Sequence, residues 1–327
     1  MKLGIIGSGT IVQEFLPKLI EFDGLEVVAV QGTPETIKQV KELCDANGVK
    51  NAVGSFEELC ELNIDTVYVA VPNFLHYSYC MKAMGKGLNV IVEKPMCSNY
   101  EETLALSDMA RKNNLFIFEA ITTLYLPNYQ KIQEWLPRIG EIKLITSQYS
   151  QYSRRYDAFR NGEILPAFDP NKSGGALMDL NLYNLHYVMG LVGKPKDVKY
   201  YANIERNIDT SGVLVLNYDN YVATCIAAKD CRGIYGGIIQ GTQGCIKTHY
   251  PPNLIGEVTL ELNDGTYERY DDGSATQRLV PEFKAFIRAI NENDYEYCYE
   301  MLDKSLDVSK VQTMARLEAG IQFPSDL

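Results

Sequence analysis

The chain has 327 residues, 46% apolar and 22% charged, enough for two domains with full cores. Its 31 Lys and Arg against 42 Asp and Glu leave a net charge of −11, which argues against a nucleic-acid footprint or a polybasic membrane patch. Eight cysteines without a C-x-x-C pair, and only three histidines, argue against a zinc or iron–sulfur centre, so no metal is expected.

In chain order, the first third alternates strand and helix. Residues 2–6 form a short apolar strand, without the apolar stretch of a signal peptide, and 10–22 have helical spacing. Residues 25–30 are β-rich, and 34–46 begin with a proline near the first turn of a helix. Residues 66–71 read as a buried strand, 74–86 as a helix and 88–92 as a strand. Residues 100–113 are a helix with Glu101 and Glu102 first and Arg111 and Lys112 last, which suits the helix dipole. Residues 115–118 are a sixth strand candidate. This alternation predicts an α/β fold, a Rossmann-type doubly wound parallel sheet over residues 1–120.

Beyond 120 the pattern changes. Residues 128–136 read as a helix, 141–152 as β-like and 153–173 as an irregular polar stretch. The segment SGGALMDLNLYNLHYVMGLVG, 173–193, is an apolar helix with Asp179, Tyr183 and His186 on one face. From 196 to 270 the chain is strand-rich, with hairpin signals at Asn263-Asp264-Gly265 and Tyr218-Asp219-Asn220. Helices near 277–291 and 302–319 close it. Residues 121–327 are therefore expected to form an α+β domain with a large, mainly antiparallel open sheet. No run reaches membrane-spanning length, and scattered unpaired cysteines fit a cytoplasmic protein.

Gly7-Ser8-Gly9 follows the first strand and opens the first helix, where a dinucleotide fingerprint stands. Gly7 permits the turn and Gly9 lets the backbone approach a pyrophosphate; Ser8, Thr10 and Ile11 complete the expected cradle. Val12 replaces the third small residue, and an ordinary strand–helix turn is the plainer alternative. After the second strand, Gln31-Gly32-Thr33 offers neither an acid for a ribose 2′-hydroxyl nor an Arg for a 2′-phosphate. Gly32 leaves room and Thr33 supplies a hydroxyl, so NADP is favoured over NAD.

Val71-Pro72-Asn73 ends another strand at the edge where such sheets bind ligands. Asn73 is a cofactor contact or an N-cap, and His76 a ligand contact or a locally bonded histidine. Glu93-Lys94-Pro95 ends the next strand; its X–Pro bond can be cis, and Lys94 taken alone reads as a surface lysine at a turn. Arg154, Arg155 and Arg160 either bind a substrate or line a surface loop.

In this order, the glycine turn, Pro-Asn-x-x-His, Glu-Lys-Pro and Gly-Gly-Ala-Leu-x-Asp-x-x-x-Tyr resemble the Gfo/Idh/MocA oxidoreductases over nearly the whole chain. Tyr183, where inositol dehydrogenases carry His, is similar to the glucose–fructose oxidoreductase and dimeric dihydrodiol dehydrogenase branch, as are Glu119-Ala120 and Pro127. Thr122 and Leu124 stand where that branch often has Trp and Arg, so those substrate contacts do not carry over. The resemblance implies that Lys94 and Tyr183 converge beside the nicotinamide with Asp179 nearby, and that Glu93 belongs to the cofactor site. A free phenol has a pKa of about 10, and a neighbouring ammonium lowers it toward acid–base work on a carbinol oxygen. Asp179 then binds a substrate hydroxyl or holds Lys94, and His186 faces the pocket or is a core histidine.

The expected function is an NAD(P)-dependent oxidoreductase acting on the CH–OH group of a sugar, polyol or cyclic diol. The alternative is a non-catalytic cofactor-sensing protein of the same fold, which needs no lysine–tyrosine pair. Gly174 and Gly175 are expected to let the backbone pass close to the cofactor. The C-terminal sheet must cover both faces, and helices can cover one; the other, with Val213, Val215, Tyr221, Ala223 and Cys225, is expected to be covered by another copy. The resemblance further implies that 121–327 is a substrate-binding and oligomerisation domain, with a homodimer or tetramer through this sheet.

Overall fold

The computed structural model describes residues 1–327, the side chain of Ser274 excepted. The chain divides into two compact units, Met1–Ala120 with Phe283–Leu306, and Ile121–Glu282 with Asp307–Leu327.

The first unit runs β1 (Lys2–Ile6), α1 (Thr10–Leu19), β2 (Glu26–Gln31), α2 (Ile37–Asn47), β3 (Asn51–Val53), α3 (Phe56–Cys60), β4 (Thr66–Val69), α4 (His76–Gly85), β5 (Asn89–Glu93), α5 (Tyr100–Asn113) and β6 (Ile117–Ala120). Its six strands are all parallel, in the order β3-β2-β1-β4-β5-β6. Ile5, Val67, Val69, Val90 and Val92 are fully buried, the result of covering both sheet faces, and this is why the strands read as apolar runs rather than alternations. The Asn99 side chain accepts the Glu102 N–H at 2.9 Å and caps α5.

The second unit contains α6 (Pro127–Trp135), β7 (Ile142–Ser150), α7 (Tyr156–Arg160), a π-helical turn (Leu177–Asn181) and α8 (Leu182–Val192). Strands β8 (Asp197–Glu205), β9 (Ile208–Asn217), β10 (Val222–Ala228), β11 (Tyr235–Gly241), β12 (Gly244–Thr248), β13 (Val258–Leu262) and β14 (Tyr267–Tyr270) follow. With β7 they form one sheet, β14-β13-β12-β11-β7-β10-β9-β8, antiparallel except between β7 and β10. Leu214, Leu216, Ala223 and Cys225 are fully buried on one face. Val213, Val215 and Thr224 are half-buried on the other, where Leu144 and Tyr201 are exposed. Ala223 and Cys225 thus belong to the covered face, not to the open one expected for them, because side chains alternate along β10 with period two.

Helices α9 (Leu279–Glu292) and α10 (Tyr295–Glu318) close the chain. The sequence reading keeps 283–306 in the second domain, whereas its packing belongs to the first unit. The Phe283 ring lies tilted 4.9 Å from Phe15 and edge-on 5.3 Å from Tyr68, and Phe286 stacks 4.7 Å from Phe118. Among the described residues no helix is long and apolar enough to cross a membrane.

Candidate active site

Strand order in the parallel sheet reverses between β1 and β4, the position where such sheets open a crevice. A cleft of about 380 Å³ lies there. Gly7, Ser8 and Gly9 form one wall, Gln31, Gly32 and Thr33 a second, and Val71 and Pro72 a third. Gly7 has φ +105°, and a Cβ on it would fall 2.3 Å from the Ala70 carbonyl oxygen, so only glycine makes this turn so close to β4. A Cβ on Gly9 would meet nothing within 4 Å. Gly9 is also the N-cap of α1 and provides no side-chain cap. Open space and first-turn N–H groups without a side-chain cap fit a pyrophosphate, with Thr10 and Ile11 offering backbone rather than lining side chains.

Gly32 lines the cleft, and only glycine fits there. A Cβ there would meet Val40 at 2.8 Å and Thr36 Oγ1 at 3.0 Å, so its space is taken up by packing on α2. Thr33 donates its N–H to Thr36 Oγ1 at 2.8 Å. An acid also stands close by: the Thr33 hydroxyl holds the Glu35 carboxyl below its ordinary range. The sequence reading missed Thr36, Leu75 and Tyr79 as lining residues, the last two placed together by their spacing of four on a helical turn.

Asn73, His76, Glu93 and Lys94 are not lining residues of this cleft. Asn73 opens a 3-10 turn capped by Pro72, so it is no N-cap. His76 is fully buried, and burial pushes its imidazole below the ordinary value. Its Nδ1 lies 2.8 Å from the Pro95 carbonyl and its Nε2 2.9 Å from that of Val71. His76 therefore clasps the ends of β4 and β5, the local-bonding alternative. The Lys94–Pro95 bond is cis. Around the half-buried Lys94 the chain is pinned on both sides. The Tyr68 hydroxyl donates to Glu93, and the Met96 N–H donates to Glu119 Oε1 at 2.9 Å. The Ser305 hydroxyl fixes the other Glu119 oxygen at 2.6 Å.

In the second unit, the segment bearing Asp179 and Tyr183 starts at a glycine pair. Gly175 has φ +106°, and a Cβ on it would lie 2.1 Å from Asp209 Oδ1. A Cβ on Gly174 would lie 2.7 Å from the Pro166 carbonyl oxygen. Packing inside this unit therefore requires glycine at both positions. Asp209 Oδ2 accepts the Leu177 N–H at 2.6 Å and the Tyr200 hydroxyl at 2.7 Å, which anchors the π-helical turn. Burial pushes the Asp209 carboxyl upward, against those hydrogen bonds and the Lys229 ammonium. The other side of the helix is tied to the sheet: Asn181 donates to the Cys225 carbonyl at 3.2 Å and Asn184 to that of Ile226 at 3.0 Å. Ser147 donates to Asn184 Oδ1 at 2.7 Å.

Held this way, Asp179 faces a polar cleft of about 280 Å³ lined also by Gln151, Tyr152, Ser153, Arg154, Arg155 and Lys229. Lys229 Nζ lies 2.9 Å from Asp179 Oδ2. Tyr183 follows on α8, 6% exposed, its ring 6.0 Å from that of Tyr149. His186 is buried and is not among the residues that line this cleft. Arg154 and Arg155 join Asp179; Arg160 does not.

Residues 1–120 match the GFO/IDH/MocA profile described as an oxidoreductase family with an NAD-binding Rossmann fold, and 129–247 match the GFO/IDH/MocA C-terminal domain. The whole chain is 31% identical to 99% of scyllo-inositol 2-dehydrogenase (NADP(+)) IolU of Bacillus subtilis (strain 168). The chain belongs to the GFO/IDH/MocA oxidoreductase family. It is thus an NAD(P)-dependent oxidoreductase. Another GFO/IDH/MocA-like relative, trans-1,2-dihydrobenzene-1,2-diol dehydrogenase of Danio rerio, is 25% identical over 91% of this chain and 85% of its own. The fold is shared with a 3-ketoreductase from Actinomadura kijaniata solved with NADP and TDP-benzene, at TM-score 0.83, 21% identity and coverage of 99% and 98%. In this GFO/IDH/MocA chain the residue that sequence reasoning missed most plainly is Lys229. Its signal was present: a lysine directly after an apolar strand, as with Lys94.

Proposed function

We propose that this oxidoreductase interconverts a secondary alcohol and its ketone in a sugar, polyol or cyclic diol, with Tyr183 as acid/base assisted by Lys94. The observation that carries the reading is Asp179, one turn before Tyr183, opening on a cleft of hydrogen-bonding side chains. Such a lining suits a polyhydroxyl ligand, and the relatives named for inositol and diol substrates support the class.

The turn Gly7–Ile11 would hold the pyrophosphate, with Gln31 and Thr33 toward the ribose. When bound, the nicotinamide supplies a two-electron hydride acceptor or donor. In oxidation the carbinol carbon gives up a hydride and its oxygen a proton, and Tyr183 takes that proton. The Lys94 ammonium stabilises the phenolate and the charge developing on the substrate oxygen. Asp179 accepts a hydrogen bond from a substrate hydroxyl. Residues 1–120 are the cofactor domain in this reading, and the substrate and oligomer surfaces come from 121–327. NADP is preferred to NAD, supported by the lack of an acid directly after β2 and by the relative named for NADP(+). A second copy of the chain covers the open face of the eight-stranded sheet, as a homodimer or tetramer. Eight free thiols fit a reducing cytoplasm.

Tyr183→Phe and Lys94→Ala should each lower turnover roughly 10²- to 10⁴-fold. Fluorescence titration should return wild-type cofactor Kd values for both variants, with NADPH binding more tightly than NADH. Near wild-type rates in both variants refute the roles; tighter NADH binding refutes the cofactor preference.

A further inference from the structure

We infer that Lys229 is a positioning residue for Asp179, a buried side chain whose Nζ orients this carboxylate as an acceptor for a substrate hydroxyl. The inference deepens the reading above and rests on it for the role of Asp179.

Lys229 follows β10, and its side chain is only 3% exposed. A buried ammonium persists only when its donors are satisfied. Here Nζ reaches Asp179 Oδ2 at 2.9 Å, donates to the Ala167 carbonyl at 2.9 Å, and stands 4.8 Å over the Phe168 ring. The ring is itself fully buried, stacked 4.9 Å from Phe159, so it gives the cation a rigid wall. The Lys229 backbone is held as well: its N–H donates to the Thr210 carbonyl and its carbonyl accepts from Ser153, both at 2.8 Å.

The ammonium also faces a second carboxylate. Asp209 feels its charge but is 2% exposed, and its Oδ2 accepts both the Leu177 N–H and the Tyr200 hydroxyl. Asp179 is 35% exposed at its side chain and opens on the cleft. One carboxylate thus anchors the helix, and the other is presented to a ligand. Lys229, Arg154, Arg155 and Tyr152 face Asp179 in the cleft, with Tyr183 on the next turn and Asp209 beyond Lys229. Lys229 is in an ion pair with Asp179.

The test compares wild type, Lys229→Met, Lys229→Arg, Asp179→Asn and the double variant Lys229→Met/Asp179→Asn. In ligand-free protein, carbon-13 NMR titration of the Asp179 carboxyl, assigned through Asp179→Asn, should move to higher pH in Lys229→Met and return toward wild type in Lys229→Arg. With scyllo-inositol and NADP as the probe pair, Lys229→Met should lose roughly 10²-fold in kcat/KM. The double variant should lose no more than Asp179→Asn, because the lysine acts through that acid. It removes both charges together, and so remains informative if Lys229→Met fails to fold. An unmoved Asp179 titration, or losses that multiply in the double variant, overturns the inference. A wild-type enzyme inert toward scyllo-inositol, D-xylose and levoglucosan counts against the functional reading alone, since the titration needs no substrate.

Discussion

His76 shows how a residue that looks like a ligand contact can be a structural clasp. Its two ring nitrogens face two carbonyl oxygens, and a neutral imidazole donates to only one of them. Burial nevertheless favours the neutral ring in the folded protein. The unfolded chain takes up the proton near the ordinary histidine value of about 6.5, so stability is present above that pH and declines as pH falls below it. His76→Gln should therefore flatten the loss of stability between about pH 7 and pH 5, read from urea midpoints at a series of pH values. An unchanged slope would remove His76 from the acid response. Asp179 and Tyr183 were legible as a pair because four residues of helix put them side by side. Lys229 was not, because its partner lies fifty residues back and only strand register and the Ala167 turn bring them together.

At the scale of elements, the helix expected over 173–193 forms as two pieces, a π-helical turn and α8. Spacing alone announces an amphipathic helix, but the wider turn depends on Asp209 taking the Leu177 N–H from another strand. Gly175→Ala places a Cβ where Asp209 stands and forces a positive φ on alanine. It should cost at least about 1–3 kcal/mol in urea unfolding. A variant as stable as wild type would show that Gly175 is not needed for this packing. Short elements escaped the sequence for a different reason. Strand β3 has three residues and α3 five, too few to display a period. The start of α10 was missed because Tyr295, Tyr297 and Tyr299 weaken its helical propensity, while Cys298 and Leu302 bury in the first unit.

For the whole molecule, the proposed assembly rests on the open sheet face. Val213 pairs with Ile226 and Val215 with Thr224 across β9 and β10, half-buried side chains beside exposed Tyr201 and Leu144. Light scattering at micromolar concentration should find a multiple of the single chain, and Val215→Lys should reduce it to one chain by burying unpaired ammonium groups. A wild-type monomer would sink the proposed assembly.

By itself the sequence determined the alternation that makes the parallel sheet, the glycine turn at its switch point, the strand-rich second half and the family. These depend on periodicity and turn chemistry, which act over a few residues and are written in order along the chain. Tertiary structure decided which polar groups meet. It gave Gly32 and Gly175 their packing partners, turned His76 inward, divided β10 into two faces and set Lys229 against Asp179. Such encounters depend on register and loop path between distant segments, and no local pattern encodes them.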